Sequence, residues 1–194
     1  MENRKYELTN ITMEFKGRTL YRIRALRDFK DVEAGDLGGW VSNENNLSQE
    51  GFCWLYNESK CMDNAKIYDN ARMFDNSVMC DYSEMHNHSA MYDNSAMYGY
   101  SKMYEYSTMY DYSRMYDYSK MYDYTRMFDN SEMYGYSEMR DEAEMHDCSQ
   151  MYDEAEMHDC SQMYGNTRMY DNSALHCYGE LYDDAILQGD EELC

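Results

Sequence analysis

From Leu55 to Leu187 an apolar side chain recurs every six residues, with no insertion or deletion: Leu55, Cys61, Ile67, Met from Met73 through Met169, then Leu175, Leu181 and Leu187. The fifth position of each hexad is small: Ser59, Ala65, Ala71, Ser77, Ser83 and onward to Ala185. About 22 hexads fit this frame. A helix cannot use the period, because at about 100° per residue six residues advance about 600° and the apolar positions walk around the cylinder. One flat strand cannot use it either, since strands rarely exceed about ten residues. A chain that turns a corner every six residues can. Three hexads then close a coil of about 18 residues, with residue n stacked on n+18 about 4.8 Å along the axis. The pattern therefore predicts an all-β chain, a single-stranded parallel β-helix (solenoid) with triangular coils.

In this frame the first-position Met and fifth-position Ser or Ala point inward and the second-position side chain points out. The third and fourth positions, such as Asp-Asn, Asp-Tyr, Gly-Asn or Gly-Tyr, form the corner, where Gly, Asn and Asp tolerate unusual backbone angles. Each third-position Asp is expected to cap its own turn through a backbone hydrogen bond. Stacking by 18 sorts the second position into three columns, one of them Tyr56, Phe74, Tyr92, Tyr110, Phe128, His146, Tyr164, Tyr182. Stacked rings stabilise neighbouring coils by about 0.5–1 kcal/mol per pair. An outward Tyr face is also the surface type favoured at interfaces.

Residues 1–54 lack the repeat and read as an N-terminal cap. Met13-Glu14-Phe15 and Leu20 to Leu26 flank Lys16-Gly17 as a hairpin. Gly38-Gly39 is expected to turn the chain, letting Trp40, Phe52 and Trp54 cover the open end of the first coil. Residues 55–187 form the solenoid, and 188–194 read as a short acidic tail that blunts the far edge by charge.

This hexad resembles the hexapeptide-repeat family, whose consensus is an aliphatic residue, a loosely specified stretch and a small residue at the fifth place. The resemblance spans about 135 of the 194 residues. It implies a left-handed parallel β-helix, against the usual right-handed crossover. The segment GRTLYRIRALRDFKDVEAGDLGGWVSNENNLSQEGFCWLY, from Gly17 to Tyr56, is similar to the leader of hexapeptide-repeat proteins of prophages and gut bacterial genomes, described as hypothetical or acyltransferase-like. Family transferases usually place a His at a subunit interface and interrupt the coils with a loop that helps bind acyl-CoA. Here no loop interrupts the repeat, and no Gly-rich or basic pocket for CoA phosphates is evident. His86, His146, His158 and His176 are candidates by residue type alone. Met also replaces the usual aliphatic residue, and its unbranched side chain specifies a core less sharply.

Charge narrows the function. Acidic residues number 38 against 17 basic ones, a net charge of −21. Residues 1–54 hold nine acids and eight bases, so about 20 of the net negative charges lie on the repeat. Phosphates would be repelled, which argues against direct binding to nucleic acid or an anionic membrane and favours basic partners, cations or simple solubility, with a basic protein partner the leading expectation. About 20 charges over a rod of about 36 Å is one per ~1.8 Å, near the ~1.7 Å of B-DNA, and this brings in a DNA-mimic inhibitor of phage or prophage origin. The contact surface expected on this reading comprises Tyr110, Tyr116, Tyr122, Tyr134, Glu132, Glu138, Asp141, Glu144, Asp147, Asp153, Glu156 and Asp159. The alternatives are an acyl-CoA-dependent acyltransferase and a purely structural, self-assembling rod, dimeric or trimeric through the Tyr face or the C-terminal end.

No catalytic residue, cofactor or metal site is expected. There is no CxxC pair and no His-Glu-x-x-His. The decapeptide DEAEMHDCSQ occurs at Asp141–Gln150 and again at Asp153–Gln162, two thirds of a coil apart, so the copies face different directions. That suits growth of a scaffold better than duplication of an active site. The polar start without a signal-like apolar stretch, seven scattered cysteines and twenty methionines lead to the expectation of reduced thiols in a cytoplasmic protein.

Overall fold

The computed structural model describes residues 4–194. Strand β1 (Tyr6–Phe15) pairs antiparallel with β2 (Arg18–Ala25), which pairs antiparallel with β3 (Leu37–Val41). The β1–β2 loop is Lys16-Gly17, both with positive φ (48° and 74°), as a two-residue hairpin requires. From Trp54 onward each hexad contributes one two-residue strand at its sixth position and the following first position, β4 (Trp54–Leu55) through β27 (Glu192–Leu193). Every strand pairs in parallel with the strands 18 residues away, Met91 with Met73 and Met109 for example. Three sheets result, one per face, of eleven, eight and eight strands. The expected parallel β-solenoid with an N-terminal β cap is the observed fold. No helix among the described residues is long and apolar enough to cross a membrane.

The interior follows the hexad. Every first-position side chain from Leu55 to Leu175 is fully buried, Tyr6 and Trp54 join this interior at the N-terminal end, and Met62 is buried in a separate cluster with Leu20, Trp40 and Cys80. Fifth-position Ser side chains are buried too. Several donate to the carbonyl three residues back, as Ser95 Oγ does to Tyr92 O at 2.7 Å. A larger residue there would collide with the facing methionines.

The cap differs from its expected form. Gly38 and Gly39 lie inside β3 and make no turn; they are small because the strand lies against the first coil. A Cβ on Gly39 would meet Ser59 O at 2.5 Å and Leu55 Cβ at 2.8 Å. β3 stacks in parallel on Lys60–Cys61, and Leu47 bridges to Ile67, so coil stacking starts before residue 54. Trp54 is buried against Tyr6 and Phe29, whereas Phe52 is exposed. Buried Lys5 donates from Nζ to Glu50 O (3.2 Å) and Cys53 O (3.0 Å), so its charge satisfies carbonyls at the end of the rod. At the other end β27 pairs with Ala174–Leu175, which carries the stacking to Leu193, within the acidic segment 188–194.

Candidate functional site

The corners are where the chain exposes chemistry. The third-position residue has positive φ at every hexad, for example Asp111 (57°), Asp117 (57°) and Gly135 (66°). In this left-handed conformation the Asp side chain reaches the next coil instead of capping its own turn. Asp69, Asp81, Asp147 and Asp159 accept the backbone N–H of Asn87, Gly99, Gly165 and Cys177 at 3.0, 3.1, 2.9 and 2.9 Å. The same bond recurs at all three corners. One carboxylate oxygen is thus engaged by a backbone donor, which offsets repulsion down the column.

The sixth position carries the ion pairs. Arg114, Lys120 and Arg126 occupy the three faces of one coil, and Glu132, Glu138 and Glu144 those of the next. They pair at 3.0, 2.7 and 2.8 Å. Burial pushes the Glu132 carboxyl up, but hydrogen bonds from Tyr134, Arg114 and Gln150 outweigh it and hold the group below its ordinary value. Glu138 behaves alike, with Lys120 and Arg140 as its donors. The same Glu132 contact, added to burial, pushes the Tyr134 hydroxyl upward.

The sequence-derived contact surface spreads over all three faces. Tyr116, Glu132 and Tyr134 share one face, with Tyr134 Oη donating to Glu132 Oε2 at 2.6 Å. Tyr122 and Glu138 lie on the second, where Arg140 sits over the Tyr122 ring at 5.2 Å and pairs with Glu138. Tyr110 and Glu144 lie on the third, with Tyr110 stacked between Tyr92 and Phe128. All four tyrosines are half-buried. Asp141, Asp147, Asp153 and Asp159 are exposed corner residues, each accepting the backbone N–H one coil on. Glu156 pairs with His158 at 2.8 Å. One flat partner cannot touch the whole set.

A second set of ladders, at the fourth position, is the more exposed. Tyr82, Tyr100, Tyr118 and Tyr136 stack at 4.8–5.0 Å, and each is 42–57% exposed. His88, Tyr106 and Tyr124 stack likewise at another corner. The signal was available, since these tyrosines are 18 apart, but assigning the fourth position wholly to the corner hid it. At the first of these corners two Tyr ladders run on either side of one column. Tyr98, Tyr116, Tyr134 and Tyr152 form one ladder and Tyr82 to Tyr136 the other; between them lie Gly99, Asp117 and Gly135, and the column continues to Asp81 at one end and Asp153 at the other, each beside one ring. Because the ring faces cover one another, this corner presents ring edges and hydroxyls, with a carboxylate at every second coil.

The histidines sit in a repeated local arrangement. Sixth- and second-position side chains flank an inward Met, so Glu-Met-His puts a carboxylate beside an imidazole. The Nε2–Oε2 distances are 3.2 Å for His86–Glu84, 3.2 Å for His146–Glu144 and 2.8 Å for His158–Glu156. Both copies of the duplicated decapeptide keep the pair while facing different ways. Five of the seven cysteines are free thiols as expected, but Cys177 and Cys194 form a disulfide, because the last hexad returns the chain end beside the corner of the preceding coil.

No family model matches the chain. It is similar to the uncharacterized acetyltransferase YdcK of Escherichia coli (strain K12), with 41% identity over 64 residues, 29% of this chain and 20% of the relative. The chain thus matches about a fifth of the length of that curated relative.

Proposed function

We propose that this chain, a hexapeptide-repeat β-helix protein, is a non-enzymatic rod that binds a basic protein along its Tyr-lined corner. The observation that carries the reading is the double Tyr ladder flanking Asp117, with Asp81 and Asp153 at its two ends each beside a single ring. Ring edges supply apolar contact, hydroxyls supply hydrogen bonds, and the carboxylates receive Lys or Arg. Cation–π contact is confined to ladder ends, where Lys16 over Tyr98 (5.5 Å) and Arg140 over Tyr122 already use it. Glu132, Glu138 and Glu144 contribute less to the contact than their charge implies, since each already has a cation. The DNA-mimic form of the reading adds that the rod displaces duplex DNA from a basic DNA-binding partner.

The test is calorimetric titration of an oligo-arginine peptide into the chain and into Tyr100→Ala/Tyr118→Ala/Tyr136→Ala. These exposed rings can be removed without touching the methionine core. At least a tenfold weaker affinity in the variant is expected, with Glu132→Gln/Glu138→Gln/Glu144→Gln close to the parent. Equal affinity in parent and ladder variant overturns the reading.

Acyl transfer is the second reading, favoured by the acetyltransferase name of the relative. A His–Glu pair such as His158–Glu156 is the group that would serve as general base. Saturable acetyl-CoA binding abolished by His158→Ala would support it. Fold membership alone does not supply the chemistry.

A further inference from the structure

The last coil gathers a donor set unlike anything along the rod. Cys194 stands one coil beyond His176, in the same second-position column, and is disulfide-bonded to Cys177 with a Cα–Cα separation of 5.3 Å. His176 Nδ1 lies 3.3 Å from Cys177 Sγ. The three ligand atoms, two sulfurs and one imidazole nitrogen, all lie within 4.8 Å of one another. On the other side of the ring, His176 Nε2 is 3.8 Å from Glu192 Oε2.

Cys177 is also out of place as a turn residue. It holds a φ of 59° at a corner where other hexads use Asp, Asn, Gly or, once, Glu105. Unlike Asp, Asn or Gly, cysteine is not a residue type that favours this conformation. Its backbone N–H is held by Asp159 Oδ2 at 2.9 Å, so the corner geometry does not depend on the thiol. The second cluster of potential ligands among the described residues, Asp63, Cys80 and Asp81, is already engaged. There Asp63 pairs with Arg18, Asp81 accepts Gly99 N–H, and burial followed by the Asp81 charge pushes the Cys80 thiol up to about 12.

We propose that the dithiol form of this end is a soft-metal site, in which Cys177 Sγ, Cys194 Sγ and His176 Nδ1 bind one Zn²⁺. Two thiolates and an imidazole are ligands that select zinc over hard cations, and the observed N···S spacing is near the ~3.5 Å edge of a tetrahedral zinc site. Glu192 takes the position of the outer carboxylate that orients a metal-binding imidazole through its other nitrogen. A thiol reductant such as dithiothreitol opens the disulfide by delivering two electrons and two protons, itself becoming a disulfide. Zinc binding then releases the two thiol protons, and a water completes the fourth position. In either state the chain end is tied across the boundary to the preceding coil, so β27, which has a hydrogen-bonded neighbour on one side only, stays docked.

The experiment uses the full chain carrying Cys148→Ser and Cys160→Ser, which removes the more accessible competing thiols. It is reduced with dithiothreitol, desalted anaerobically and titrated with Co²⁺. One equivalent is expected to give a sulfur-to-cobalt charge-transfer band and tetrahedral d–d bands, both erased by one equivalent of Zn²⁺. Cys177→Ser and Cys194→Ser should each weaken Co²⁺ binding at least tenfold. His176→Gln, which leaves both sulfurs in place, should weaken it and shift the d–d bands. Circular dichroism identifies any variant that fails to fold, and the oxidised chain provides a comparison without mutation. No thiolate band in the reduced chain, equal binding by the oxidised chain, or a folded Cys177→Ser or Cys194→Ser variant that binds as the parent does would overturn the proposal.

Discussion

Asp147 Oδ2 accepts the backbone N–H of Gly165 at 2.9 Å, joining one corner to the corner stacked on it 18 residues later. Each such bond answers two demands at once. It pairs a backbone donor that the turn leaves free, and it aims a carboxylate along the axis instead of straight at the next one.

Replacing Asp147 separates these roles. Asn can still accept the Gly165 N–H and tolerates positive φ, so Asp147→Asn should stay within about 0.5 kcal/mol of the parent. Asp147→Ala loses the acceptor and strains the corner, at about 1–2 kcal/mol. Urea unfolding of the two variants checks this, and equal midpoints would show that the bond contributes nothing.

The Arg114–Glu132 pair, at 3.0 Å, is testable by charge exchange. Arg114→Glu or Glu132→Arg alone stacks like charges on one face and should lower stability. The double exchange should recover about 0.5–1 kcal/mol of coupling, a modest figure because the guanidinium is 41% exposed. Additive single effects would mean the pair is not formed in solution.

Acid should weaken the same coil. Glu132 and Glu138 titrate below their ordinary 4.5 in the folded state, so the unfolded chain takes up protons first as pH falls. Their contribution is complete above that ordinary value and is lost as pH drops through the folded one. The urea midpoint of the parent should therefore fall between about pH 5 and pH 3 more steeply than that of Glu132→Gln/Glu138→Gln. Parallel curves would contradict the assignment.

Met109 is fully buried between Met91 and Met127. Met109→Leu nearly conserves volume and should cost less than about 1.5 kcal/mol, whereas Met109→Ala leaves a cavity worth about 2–4 kcal/mol. The difference reads directly from chemical denaturation.

Gly39→Ala should detach the cap from the first coil, because the added Cβ meets the Ser59 carbonyl at 2.5 Å and backbone cannot yield as a flexible side chain can. Faster amide exchange confined to residues 37–41 and 54–61, with the distal coils unchanged, is the expected result. Uniform protection throughout would show that the cap tolerates the methyl group.

The hexad made much of this molecule legible before any coordinates. A strict period specifies which residue stacks on which, so the inward methionines, the small fifth position, the aromatic columns and the parallel sheets all follow from counting in sixes and eighteens. The Arg114-to-Glu132 spacing is equally countable, yet counting alone leaves those acids looking like a free surface. Spacing says that two side chains are neighbours, while only their geometry says that each consumes the other's charge. The Asp corners turn on the same distinction, because φ near +57° is what swings the carboxylate to the next coil. At the two ends the period stops being a guide. Gly38 and Gly39 look like a turn in the chain and are a close approach in space, set by Trp54 and Ile23 at Gly38 and by Leu55 and Ser59 at Gly39. Cys177 and Cys194, 17 residues apart, fall in different repeat columns and in no ligand motif, and meet because the last coil closes there. Where one coil repeats the next, local sequence carries the long-range contact; at the ends that symmetry is absent, and the packing of unlike segments decides.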